Sequence, residues 1–485
     1  MQVLLTASDA IQALETAFLD ADRQITVSFT QFDPTTPLQT ARARAIGDNW
    51  ADLVGHVLAR GVAVSLTISD FDCLLYPAAH RSAAQSVRHL QQVAAQSGGA
   101  TLIVRTAQHD GETGLLAQTL RLPFSWWQLT QTARRLNQKG PADRSAAMTD
   151  MPGLTRLLTL GRTGQLRARV RGLPGVRRYF HNQRLAVFDR NKLIIGSFDL
   201  DRRAIETGYP HGVTLILTGP VVAESIAHLD HFLDTVAHQS RQPPDASRLL
   251  LRTLSCRRSI TSARHGTTPV LQDIWRMHDT LIRLSRKLIY LETARLYDRR
   301  LTDRLEQMAR THPGLTMILM LHGSGVALTA MERWRSWQQK RTLRQLAKAF
   351  GKRLFIGTCA TPAANGPVVL SGPAAHAGQS GVSIFDSRAG IVSSANLDRA
   401  GLQFNTEAGV YLNSPGELAE LRRMVMARWL PADAPEPYFA LDTAALHWAA
   451  VADTNFKAPV RQRRGLLLPY AYQNWTAHSA TKQND

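Results

Sequence analysis

A chain of 485 residues with 44% apolar residues and no low-complexity tract can bury a large core and exceeds the usual size of one domain, which excludes a disordered chain or a small disulfide-stapled module. Lys plus Arg number 57 against 38 Asp plus Glu, a formal charge of +19 that favours phosphate-rich partners: anionic lipid surfaces, nucleic acids or a phosphorylated substrate. Cys73, Cys256 and Cys359 are scattered without C-x-x-C or nearby His spacing, so neither a disulfide framework nor a metal or cofactor site is indicated.

The N-terminus reaches Asp9 before an apolar signal region could form, and no run of about 18 apolar residues follows. A cytoplasmic protein, or one peripheral to a membrane, is expected. Ser8, as an N-cap, begins a helix over residues 8–24 with Ile11, Leu14 and Phe18 on one face, and Ile25 to Phe29 reads as a strand. A helix from Trp50 to Ala59 precedes Gly61 and the run V-A-V-S-L-T-I-S, which ends at Asp70-Phe71-Asp72; this β-α-β start marks a layered α/β domain. After a helix near Ser82 to Gln96 and a strand from Thr101 to Val104 come Phe124, Trp126 and Trp127, either core filler or an interfacial anchor beside lipid.

Six arginines between residues 162 and 178 lead to the hairpin Leu185–Phe188 and Leu193–Ile195, with its turn at Asp189-Arg190-Asn191. Val213–Leu217 reads as a strand and Val221–His238 as a helix. Residues 239–269 lose periodicity and gain Pro, Ser, Thr and Arg, placing a linker over residues 241–270. Beyond it the order of elements repeats: a helix over Leu271–Lys287 runs into a strand over Leu288–Leu291, and Gly314–Leu321 matches Gly61–Ser69. Residues 331–350 form a basic amphipathic helix carrying Trp334 and Trp337, a solvated surface helix or one that lies on an anionic bilayer. Strands at Leu354–Ile356, Val368–Leu370, Gly381–Phe385 and Gly390–Val392 follow. The domains are therefore 1–240 and 271–455, with a basic and polar tail over 456–485.

Two tracts stand out. Phe188-Asp189 through Arg202 aligns without a gap with Phe385-Asp386 through Arg399, sharing Phe, Asp, Ile, Ser, Leu, Asp and Arg in order. The tracts R-L-A-V-F-D-R-N-K-L-I-I-G-S-F-D-L-D-R-R and G-V-S-I-F-D-S-R-A-G-I-V-S-S-A-N-L-D-R resemble the two signature motifs of the phospholipase D superfamily, in its bacterial two-motif branch. That resemblance implies two similar α/β domains, each a mixed sheet flanked by helices, related by a pseudo-two-fold axis with a shared cleft. It also implies a phosphodiester substrate, one motif His attacking phosphorus and the other protonating the leaving alcohol.

The chain departs from the family pattern where the chemistry lies. Counting back from Asp189 puts Asn182 in the His position and Arg184 in the Lys position; counting back from Asp386 puts Gln379 and Gly381 there. An amide is neither a useful nucleophile nor a general acid near neutral pH. The positions that the family uses for phosphate and scaffold hold Arg184, Ser197, Asp199, Ser394 and Asn396, with Asp189, Asp386, Asn405 and Glu407 in support. His181 and His376 lie close to the vacated positions, although strand alternation turns His181 away from Asn182. Asp70, Asp72 and Glu292 end strands and are weaker cleft candidates.

The expectation is a degenerate member of the family that recognises a phosphodiester or phospholipid headgroup with weak or lost hydrolysis. An active phospholipase D or transphosphatidylase using His181 and His376 is one alternative. A structural or regulatory partner of an active paralogue is another. Nucleic acid is a less favoured ligand than lipid.

Overall fold

The alternation in the first motif has a physical reason: Leu185 and Val187 enter one core while Ala186 and Phe188 enter another, on the opposite face of the same strand. The computed structural model describes every residue except 110, 112–114, 170–176, 203–210, 238–246, 257–266, 322–329, 363–369, 374–380, 460–461 and 471–485. A seven-stranded sheet has the order β1 (Gln2–Thr6), β9 (His211–Leu217), β8 (Lys192–Gly196), β7 (Leu185–Phe188), β2 (Gln24–Phe29), β3 (Ala63–Asp70), β4 (Leu102–Gln108).

A ten-stranded sheet has the order β11 (Thr268–Gln272), β10 (Leu250–Cys256), β18 (Glu407–Leu412), β17 (Ala389–Ser393), β16 (Val382–Phe385), β12 (Leu288–Thr293), β13 (Thr316–Leu321), β14 (Leu354–Pro362), β15 (Leu370–Pro373). Its tenth strand, β19 (Leu467–Pro469), pairs with β14. A small third sheet joins β5 (Leu158–Leu160) and β6 (Leu166–Ala168).

Both large sheets are mixed. β2, β3 and β4 run parallel, as do β12, β13 and β14, whereas each motif hairpin is antiparallel. β12 and β13 are buried on both faces, which is why L-I-Y-L and M-I-L-M-L read as unbroken apolar runs. One face of each sheet contributes to a shared core with the helices Pro220–Ala237, Pro415–Ala427 and Ala444–Lys457. The opposite faces are covered separately, the first sheet by helices that include Ala7–Asp20 and Trp50–Ala59, the second by Asp273–Leu284, Arg299–Thr311 and Ala330–Phe350.

Several expectations change. The first helix is Ala7–Asp20, capped by Thr6, whose side chain accepts from the Asp9 amide, and it follows an unforeseen strand, β1. The expected linker over 241–270 contains β10, which is buried throughout and lies inside the second sheet. Its apolar signal is broken by Arg252, Thr253 and Ser255, and the Arg252 guanidinium is buried against Asp273 at 3.2 Å. The expected tail from residue 456 likewise includes β19, paired with β14. The aromatic group at Phe124 to Trp127 stands on a long helix, Leu115–Asn137, that runs through Pro123.

Candidate functional site

The two hairpins are anchored at their turns in the same way. Asp189 and Asp386 both adopt positive φ, 47° and 53°, a conformation that Asp tolerates better than most side chains. The Asp189 carboxylate accepts from the amides of Asp22, Arg23 and Gln24 at 2.8–3.0 Å; that of Asp386 accepts from Arg286, Lys287 and Leu288 at 2.8–2.9 Å. Burial pushes the Asp189 carboxyl up, but the three N–H bonds outweigh it and hold the group below the usual carboxylate range. Both aspartates, expected among the catalytic residues, thus fasten each hairpin turn to the start of β2 or β12, at the far end of β7 or β16 from Asn182 and Arg184.

At the other end of the first hairpin the chain crosses to the second half. Asn182 N donates to Thr406 O at 2.8 Å and Thr406 N to Phe180 O at 3.2 Å, a parallel bridge that sets Asn182 against β18. Asn182 Nδ2 then reaches Glu407 Oε1 and Oε2 at 3.0 and 2.9 Å and the Ser394 carbonyl at 3.2 Å. Ser394 Oγ donates to Glu407 Oε2 at 2.5 Å, and Asn405 Nδ2 donates to Glu407 Oε1 at 3.0 Å. Arg184 Nε donates to Asp199 Oδ2 at 2.7 Å, while its Nη1 and Nη2 reach Asn182 O and Oδ1 at 3.3 and 3.2 Å. Asp199 Oδ1 also accepts from the Thr30 and Gln31 amides. Sequence reasoning had no signal for Thr30, which joins the cluster only through the fold.

The cluster is closed and close to charge-balanced. Arg184 is 2% exposed and Glu407 fully buried. Burial pushes the Glu407 carboxyl up to about 8, against the donors from Ser394, Asn405 and Asn182 and the positive charge of Arg184. Glu407 thus holds its proton more tightly than an ordinary carboxyl, beside the Arg184–Asp199 ion pair.

The halves differ at corresponding positions. Gly196 N donates to Arg184 O as Ser393 N donates to Gly381 O, so Arg184 and Gly381 correspond. A Cβ on Gly381 would lie 2.3 Å from the Ser393 carbonyl, so the backbone leaves no room there for a counterpart of the Arg184 side chain. Ser197 N donates to Val213 O as Ser394 N does to Ala408 O, which makes Gly212 the counterpart of Glu407. A Cβ on Gly212 would meet Ser197 Oγ and the Phe198 ring at 2.5 Å. One half supplies the amide and guanidinium, the other the carboxyl, and together they form one composite cluster.

The remaining described candidates fall outside it. His181 Nδ1 lies 2.7 Å from Thr406 Oγ1, its Nε2 has no hydrogen-bond partner among the described residues, and its ring is 5.3 Å from that of His109 and 5.4 Å from Phe232. Burial pushes His181 down to about 3, so the ring is neutral and faces away from Asn182. His376 and Gln379 lie outside the described residues. Ser197 Oγ is tied to the Val213 backbone, whereas Asn396 is half-buried. Asp70 pairs with His80 at 2.6 Å, Asp72 accepts from three backbone amides, and Glu292 is buried against Arg428 and Tyr290.

Among the described residues no group of His, Cys, Asp and Glu could hold a metal ion, and no helix is long and apolar enough to cross a membrane. No protein-family profile and no curated protein matches the chain. Solved structures do. Phosphatidylserine synthase from Haemophilus influenzae Rd KW20 aligns over 87% of this chain and 85% of its own, with 8% identity and a TM-score of 0.52. Polyphosphate kinase from Porphyromonas gingivalis aligns over 87% of this chain with 10% identity and a TM-score of 0.46, and this chain spans only 45% of its length. The likeness to the synthase concerns the fold, a two-domain phospholipase D-like arrangement of two mixed sheets flanked by helices.

Proposed function

We propose that the protein is a phospholipase D-superfamily member that recognises a phosphodiester or phospholipid headgroup without hydrolysing it at the paired motif. One observation carries this reading: the position of the nucleophile holds Asn182, whose amide is bonded to Glu407 and to the Ser394 carbonyl. Cleavage through a covalent intermediate requires an unprotonated nucleophile facing a protonated acid, and loss of such a nucleophile costs on the order of 10⁴ to 10⁶ in rate. Glu407 can supply a proton, but no imidazole among the described residues reaches the cluster to attack phosphorus. A phosphate oxygen taking the place of the Asn182 carboxamide would gain the Nη2 donor of Arg184 that Asn182 Oδ1 now accepts from.

Titration calorimetry with a soluble headgroup diester, glycerophosphoglycerol, tests the reading. Saturable binding that weakens at least tenfold in Arg184→Gln, with no diester turnover, is expected; unchanged affinity in that variant would overturn it. A second reading is favoured by the bonds across the halves. The Asn182–Glu407 contact joins residues 225 positions apart, and a cluster that serves only as a seam would bind no headgroup yet lose much stability when cut.

A further inference from the structure

The helix Ala330–Phe350 is fastened along one side. Leu343, Leu346 and Phe350 enter the core, and Gln339 Oε1 accepts from the Leu296 amide at 2.9 Å. At about 100° per residue, the opposite side carries Trp334, Trp337, Arg341, Arg344 and Lys348 in one stripe. Trp334 and Trp337 are 51% and 55% exposed, and the Arg341 guanidinium lies 5.9 Å from the Trp337 ring centre. A helix facing only water normally carries a charged and polar outer face. Two exposed indoles followed by three cations is instead the composition of a helix whose outer face lies at a lipid headgroup layer.

The indole end of this stripe also lies beside the second motif. The Trp334 ring meets Tyr297 edge-on at 6.4 Å, Tyr297 Oη donates to Asp398 at 3.1 Å, and Arg295 is 3.7 Å from the same carboxylate, two residues after Asn396. Arg335 is near enough to Arg178 and Tyr297 for its charge to act on both. With the +19 charge of the chain, this places cations and indoles on one exposed face.

We propose that this face docks the protein on an anionic phospholipid bilayer, with Trp334 and Trp337 at headgroup depth and Arg341, Arg344 and Lys348 against lipid phosphates. The stripe runs along one side of a single helix, and its indoles and cations are exposed among the described residues. That suits a flat bilayer better than a nucleic-acid strand, which is held in a groove. The docking does not depend on headgroup recognition in the Asn182 cluster.

Co-sedimentation of the full-length protein with phosphatidylcholine vesicles, with and without phosphatidylglycerol, tests it. Partitioning only into the anionic vesicles, with a blue shift of tryptophan emission, is expected. Replacing Arg344 and Lys348 by Gln should lower the partition coefficient about fivefold for each cation removed, and Trp334→Ser with Trp337→Ser should remove the blue shift. Thermal melts equal to the parent's would show these exposed-site variants to be folded; if the Trp variant is not, the salt dependence of the Arg344 and Lys348 variant decides. Equal partitioning of parent and variants, no preference for anionic vesicles, or tighter binding to single-stranded DNA than to vesicles would overturn the proposal.

Discussion

The two motif hairpins agree at their turns and differ at their mouths. Asp189 and Asp386 each gather three backbone amides at the start of a neighbouring strand, so the turns are held by the same contacts in both halves. At the mouths, Gly381 has no room for a counterpart of Arg184, and Gly212 has none for a counterpart of Glu407. A scaffold with matched hairpins thus carries one asymmetric cluster divided between the halves.

The largest effect should come from cutting that cluster. Arg184→Ala leaves Asp199 without its buried ion-pair partner and should cost about 3–5 kcal/mol in urea unfolding. A loss below about 1 kcal/mol, the range of an exposed pair, would mean that the cluster is not a seam. Gly381→Ala asks whether the second mouth is closed by backbone. Overpacking against the Ser393 carbonyl should cost about 1–3 kcal/mol, and a neutral result would show that the second lysine position can reopen.

The turns test the symmetric part. Asp189→Asn and Asp386→Asn keep a side chain that tolerates positive φ while removing the charge. Each should cost about 1–2 kcal/mol, by analogy with capping aspartates, and the two losses should match; unequal losses would show that one turn has a further role.

The buried titratable groups make stability depend on pH. The unfolded chain releases the Glu407 proton near 4.5, whereas the folded chain holds it to about 8. The stability from this group is therefore complete below pH 4.5 and falls by about 1.4 kcal/mol per pH unit as pH rises towards 8. His181 and His228, pushed from 6.5 down to about 3 by burial, act oppositely: their contribution is present above pH 6.5 and lost on acidification. Stability should peak near pH 6.5, and Glu407→Gln should flatten the alkaline side and steepen the rise between pH 4.5 and 6.5. An unchanged alkaline slope would show that Glu407 titrates as an ordinary carboxyl.

Much of this was legible before the fold. Leu185 to Phe188 read as a hairpin strand and Gly381 to Phe385 as a strand because alternation and turn residues are local, and the displaced His181 was visible by counting from Asp189. β10 was hidden because its buried Arg252 and Ser255 look like linker residues until Asp273 and the neighbouring strands are present. The bond from Asn182 to Glu407 had no local trace, since the two residues meet only when β18 is brought beside the chain at Thr406. Spacing identified the positions of the motif; the fold alone showed that the groups at its mouths are bonded to one another.

Incubation with phosphatidylglycerol followed by intact-mass analysis tests the central claim most directly. The parent protein and His181→Ala should both form no covalent phosphatidyl adduct and release neither glycerol nor phosphatidic acid. An adduct formed by the parent and lost in His181→Ala would contradict it.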